Sequence, residues 1–131
     1  MTFQSKNIVN GIPEWTLDTD TQTILHIDPV TEQTERFSFH TDHIEAHLRY
    51  AAEHRTERLQ NLVDSGKIYS YLNELDLKIT DAIIAQTDLF MEKSREYQIA
   101  VKVGDLYRAG ALGNALREQA KEAIYPAMVY V

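Results

Sequence analysis

The sequence predicts an α+β protein that is mainly helical: a three-helix bundle with a small antiparallel β-hairpin or sheet near the N-terminus. Two observations carry the prediction. Residues 20–40 hold two runs rich in Thr, Ile, Leu and Phe around a proline turn, whereas residues 41–125 repeat apolar side chains every three or four positions. A third bounds the architecture. A chain of 131 residues, 44% hydrophobic and 25% charged, can bury one core without metal or disulfide staples. We expect a single domain over 1–131, made of an irregular start and hairpin (1–40), a helical bundle (41–125) and an apolar tail (126–131).

In chain order, Gly11-Ile12-Pro13 punctuates the irregular start. The hairpin strands are Gln22 to Ile27 and Gln33 to Phe39. Between them Asp28-Pro29-Val30-Thr31-Glu32 suits a loop of about four or five residues, because Pro29 presets the turn and Asp28 can accept from the backbone ahead of it. Alternation is imperfect: Ile24 falls on one face, Leu25 and Ile27 on the other. A two-stranded hairpin is marginal alone, so it must dock on helices or gain a strand. The first helix starts at Thr41, an N-cap residue followed by an acid in the first turn. Its apolar stripe is Ile44, Leu48, Ala51, Leu59 and Leu62, and it ends at Ser65-Gly66, where glycine can take the left-handed conformation.

The second helix runs from Lys67 to the region 91–96, with one stripe of Ile68, Leu72, Leu75, Ile79 and Ile83 and another of Leu77, Ile84 and Met91. A helix apolar on two sides is buried between partners. Here it is the centre of one bundle or, as the alternative, its second stripe meets another chain in a homodimer. The third helix covers Lys102 to Tyr125. Glycines inside a helix cost about 1 kcal/mol each relative to alanine, so a break between Gly104 and Gly113 is expected as an option. Pro126 should stop the helix, and the tail 127–131 could pair with the hairpin as a third strand.

The net charge is −7. Residues 1–45 carry eight acids against Lys6 and Arg36, whereas the rest of the chain carries twelve acids and eleven bases. An acidic chain repels phosphate backbones at long range, which disfavours generic nucleic-acid binding. Glu14, Asp18, Asp20, Asp28, Glu32 and Glu35, with Trp15 beside them, form the candidate partner-binding set. They read either as solvated surface or as a decoy for a basic groove on another protein. The absence of cysteine excludes disulfides and thiolate chemistry and fits a reducing compartment. No run approaches the length of a spanning helix, and residues 1–10 lack the layout of a signal peptide, so a cytoplasmic protein without membrane contact is expected.

Histidine is the sharpest chemical candidate. His40, His43, His47 and His54 would share one face if helical, and imidazoles a turn apart can share a metal. His40 and His54 would lie about 21 Å apart along such a helix and cannot serve one ion. The alternative is that the stripe packs Phe37 and Phe39, with His54 in a buried hydrogen-bonding role. We expect no metal and no cofactor. Arg49, Arg55, Arg58 and Lys67, with His54 and Tyr69, form the densest basic and polar motif, with Arg108 and Arg117 as candidates to face it. It reads either as a phosphate-binding patch or as a surface salt-bridged to Glu53, Glu57, Asp64 and Glu118. No Gly-x-Ser-x-Gly turn, phosphate loop or paired-carboxylate arrangement is present, and no catalytic residue is expected.

Two blocks resemble a known family. The first is Leu48-Arg49, Glu53-His54-Arg55, Ser65-Gly66-Lys67-Ile68-Tyr69, Leu72 and Glu74-Leu75-Asp76. The second is Asn114, Leu116-Arg117, Ala120, Glu122 and Met128-Val129-Tyr130. Together, over about residues 47–77 and 112–131, they are similar to TnpV, small proteins encoded on bacterial transposons. The family usually has a proline after Glu-His-Arg, where this chain has Thr56, and the acidic hairpin looks like an addition. The resemblance implies a mobile genetic element and a bacterial cytoplasm, and it implies no reaction. The functional expectation is a non-enzymatic accessory protein that binds another macromolecule, most simply a protein. A pointed version is an inhibitor of a host defence nuclease, of the anti-CRISPR type. The rivals are a DNA-binding accessory factor using Arg49, Arg55 and Arg58, and a small metal-dependent hydrolase using the histidines.

Overall fold

The computed structural model describes residues 1–131. The α+β class holds, with an antiparallel sheet near the N-terminus as expected, but there are five helices rather than three. In order, the strands are β1 (Thr2–Gln4), β2 (Ile8–Val9), β3 (Ile12–Pro13), β4 (Trp15–Asp18), β5 (Thr23–Ile27) and β6 (Thr34–Ser38). The helices are α1 (Asp42–His54), α2 (Thr56–Asp64), α3 (Ile68–Lys93), α4 (Arg95–Lys102) and α5 (Leu106–Met128). The chain forms two compact units, Met1–Asp76 with Val129–Val131, and Leu77–Met128.

In the first unit, β1, β4, β5 and β6 form an antiparallel sheet in that order, and β2 and β3 make a separate two-stranded ribbon. The expected hairpin is β5–β6, completed by two strands from the segment expected to be irregular. Register explains the core. Phe3 pairs with Leu17, Leu17 with Ile24 and Ile24 with Phe37, so one row of inward side chains crosses all four strands. Ile44, Leu48 and Ala51 of α1, Leu59 and Val63 of α2, and Ile68 and Leu72 of α3 pack with this row. Burying side chains of this kind contributes roughly 1.5–3 kcal/mol each. Leu25 is exposed, as alternation requires, whereas Ile27 is buried at the strand end rather than facing out with it.

The single helix expected over 41–65 is two. Arg55 takes φ −138 and ψ 43, outside helical geometry, and divides α1 from α2. Thr56 is the first residue of α2. Thr41 starts α1 but forms no side-chain cap; its hydroxyl donates to Asp76 Oδ1 at 2.9 Å and ties the helix start to α3. At the end of α2, Gly66 adopts φ 72, Lys67 N donates to Leu62 O at 2.9 Å and Gly66 N to Val63 O at 3.2 Å, a Schellman closure.

The second unit contains the rest of α3 with α4 and α5. Ile79, Ile83 and Thr87 are buried along α3, and Ala100, Ala109, Gly113 and Ala120 along α4 and α5. Leu77 and Ile84 are exposed, so the second stripe of α3 is not closed within a bundle. Residues 95–102, between the second and third helices expected from sequence, form a helix of their own, started by Ser94, whose Oγ accepts from Tyr97 N at 3.2 Å. The anticipated break falls at Gly104 (φ 77), and α5 continues through Gly110 and Gly113. Pro126 does not stop α5. In the last turn its missing N–H removes one rung only, and the helix reaches Met128. The tail forms no third strand.

Candidate interaction surfaces

The acidic set is divided by topology. Because β4, β5 and β6 are successive antiparallel neighbours, the β4–β5 turn lies at one end of the sheet and the β5–β6 turn at the other. Asp18 and Asp20 sit at the first end. Asp18 Oδ1 accepts from Asp20 N at 2.9 Å and Thr21 N at 3.4 Å, and Asp20 pairs with the Met1 ammonium at 2.8 Å. Asp28 and Glu32 sit at the opposite end. Glu14 joins them, since Ile27 N donates to Glu14 O at 2.9 Å, as does Glu35, which lies across from His26. Asp28 Oδ1 accepts from Val30 N at 2.8 Å and Thr31 N at 3.1 Å, the turn role expected of it. The backbone N–H of Asp20 holds the Asp18 carboxyl below its usual range, and those of Thr31 and then Val30 do the same for Asp28. Glu14, Asp28, Glu32 and Glu35 form no ion pair, and Val30 is exposed at the tip between them.

Trp15 is half-buried and structural in its contacts. Its ring stacks on His26 with centroids 3.9 Å apart and lies against the Gly66 turn.

The basic motif is drawn apart. Lys67 follows the Gly66 turn, and Tyr69 stacks on Phe37 at 4.1 Å, so Tyr69 packs hairpin aromatics in the place expected of the histidines. Arg49 donates to Glu45 at 2.9 Å rather than to the acids expected from sequence. Arg55 donates to the His54 carbonyl at 2.8 Å, and Arg58 to the Val131 main-chain oxygen at 2.7 Å. In the second unit, Arg108 approaches Glu96 at 3.9 Å, and Glu118 pairs with Lys121 at 3.2 Å. His54 is exposed, not buried. It lies 4.8 Å from the Tyr50 ring, which also meets Tyr130 at 5.7 Å and the Arg55 guanidinium at 5.6 Å. Ala46, Arg49, Tyr50, Glu53 and Tyr130 line a shallow hollow of about 190 Å³ here. Tyr50, absent from the candidates read from sequence, lies four residues before His54, a spacing that puts the two on one helix face.

The histidines do not form a metal site. His40 precedes α1, and no group of three potential ligands is within reach of one ion. His43 Nε2 pairs with Asp76 Oδ1, the carboxylate that also holds Thr41. His47 is fully buried, with Nδ1 2.7 Å from Val129 O and Nε2 2.8 Å from Tyr71 Oη. A carbonyl only accepts, so Nδ1 carries the proton and Nε2 accepts from the tyrosine hydroxyl. Burial pushes the His47 pKa below its usual 6.5; the Val129 bond opposes this and the Arg58 charge adds to it. Val129 is itself fully buried, so the end of the chain is fastened to α1. Comparison of the chain with family models, with characterised proteins and with solved structures finds no match.

Proposed function

We propose that this chain is a non-enzymatic binding protein that contacts a basic protein surface, and that it serves a bacterial mobile element in the cytoplasm. The single observation that carries the reading is the end of the sheet where Glu14, Asp28, Glu32 and Glu35 stand without ion pairs around exposed Val30. Charge distribution supports it. The unit formed by 1–76 and 129–131 holds thirteen acids against six bases, the whole net charge of −7, while 77–128 holds seven of each. Such a surface accelerates encounter with a cationic groove and orients the docked partner. The resemblance of residues 47–77 and 112–131 to TnpV supports the mobile-element setting. A pointed form of the same reading is a decoy for the nucleic-acid channel of an RNA-guided defence nuclease. Direct DNA contact is less favoured, because Arg49, Arg55 and Arg58 each already have an intramolecular partner on an acidic unit.

The test is co-purification from a native host, and with an RNA-guided nuclease, at low and high salt. A complex formed near 50 mM salt should weaken by at least about 10-fold near 500 mM. The Glu32→Lys/Glu35→Lys double variant should weaken it comparably at low salt. A complex indifferent to both salt and these reversals would sink the reading.

A further inference from the structure

The corner between α4 and α5 displays apolar side chains that the fold leaves uncovered. Val103 is 71% exposed, Leu106 81% and Tyr107 91%, and Ile99 and Val101 are about half exposed. They fall within nine residues around a tight turn. Gly104 N donates to Val101 O at 3.2 Å and Asp105 N to Ala100 O at 2.9 Å, which fixes the corner and points the chain back along α5. Soluble proteins rarely show so dense an exposed apolar cluster without a partner for it.

We infer that this corner is the contact through which two copies of the chain associate. Three features select a second copy as the occupant. The first is area. Ile99 and Val103, four residues apart on one side of the corner, offer with Leu106 and Tyr107 on the order of 500 Å² per copy, against the roughly 800 Å² per partner of a standard interface. The second is the rim. Lys102 is exposed and forms no ion pair, and Asp105, three residues on, is exposed with its carboxylate engaged only by the Arg108 backbone N–H at 3.1 Å. A two-fold axis through the turn sets Lys102 of each copy against Asp105 of the other, and a symmetric interface must be self-complementary in this way. The third is charge. Residues 77–128 are neutral, so this contact does not select the cationic partner proposed for the other unit.

The test is sedimentation of the full chain from about 1 to about 200 µM. A dimer of twice the 15.1 kDa monomer is expected, with a dissociation constant in the micromolar range that added salt leaves within about threefold. Leu106→Glu should raise that constant at least about 10-fold. Tyr107→Lys should do the same, and because its side chain is almost wholly exposed the substitution should leave the thermal melt unchanged. Lys102→Glu should weaken the dimer at low salt. A monomer at the top of the range overturns the inference. So does a dimer weakened by Ile84→Glu and untouched at Leu106 and Tyr107, because the α3 stripe would then be the contact. A chain that stays monomeric yet floats with lipid vesicles through Tyr107 also overturns it. None of these readouts depends on the acidic surface, so the two proposals fail separately.

Discussion

His47 shows how one side chain couples the end of the chain to pH. It is buried neutral, with both ring nitrogens satisfied, so the folded state binds its proton less readily than the unfolded state does. The sign follows. Above 6.5 neither state is protonated at His47 and its contribution is complete; as pH falls below 6.5 the unfolded state gains the proton first and stability drops. Thermal melts from pH 7.5 to 5 should show this decline, and it should be shallower in His47→Gln, whose side chain does not titrate in that range. An equal slope in both proteins would assign the acid sensitivity elsewhere. Replacing Tyr71 with Phe should cost about 1–3 kcal/mol, since it strips the partner from a buried acceptor. A second residue-scale outcome concerns Gly66. Its φ of 72 disfavours any Cβ, and one placed there would sit 3.0 Å from Trp15 Nε1. Gly66→Ala should therefore cost about 1–2 kcal/mol in chemical denaturation. The left-handed glycine was legible because Ser-Gly at the end of an apolar stripe has a physical meaning. The destinations of the histidines were not. Asp76 lies 33 residues after His43, and the Val129 carbonyl 82 after His47. No local pattern encodes such partners.

At the scale of elements, Asp76 joins α1 to α3 by accepting from Thr41 and pairing with His43. Asp76→Ala should destabilise the fold by about 1–3 kcal/mol, and in a double-mutant cycle with Thr41→Ala the losses should be less than additive, because one carboxylate serves both. Full additivity would mean that Thr41 acts as an ordinary cap instead. The β5–β6 hairpin, α1, α3 and the turn at Gly66 were readable because each has its own period or punctuation. The break at Arg55 was not, since the apolar stripe continues across it from Ala51 to Leu59 and hides the change of axis. β1 and β4 were missed for a related reason: strands of three and four residues carry too few alternations to stand out, and they are specified by partners, β4 by pairing with β5 and β1 by pairing with β4. α4 was missed because its eight residues span barely two turns, too few for an apolar repeat to show. Pro126 was misplaced because the rule against proline in helices assumes a ladder on both sides, which the last turn of α5 lacks.

At the scale of the molecule, the two units differ in how they are held together. The unit of 1–76 and 129–131 buries Leu17, Ile24, Ile44, Leu48, Leu59, Ile68 and Leu72 completely in one cluster. The core of 77–128 buries Ile79 and Ile83 along α3, but α4 and α5 bring to it only small side chains, Ala100, Ala109, Gly113 and Ala120. Apolar burial scales with side-chain area, so alanine contributes far less than the roughly 1.5–3 kcal/mol of a buried Leu or Ile. Local opening should follow that division. Hydrogen exchange should find the amides of α4 and the first turns of α5 fastest among the helical residues, and those of α1 and β5 slowest, separated by at least about 100-fold. The acidic sheet end would then be a rigid platform, and the α4–α5 corner a less stable element that association covers. Exchange repeated at about 200 µM should slow at 99–107 and leave β5 unchanged. If α4 were as protected as α1 in the dilute chain, alanine packing would be stabilising the second unit far more than its buried area allows, and this account of it would be wrong.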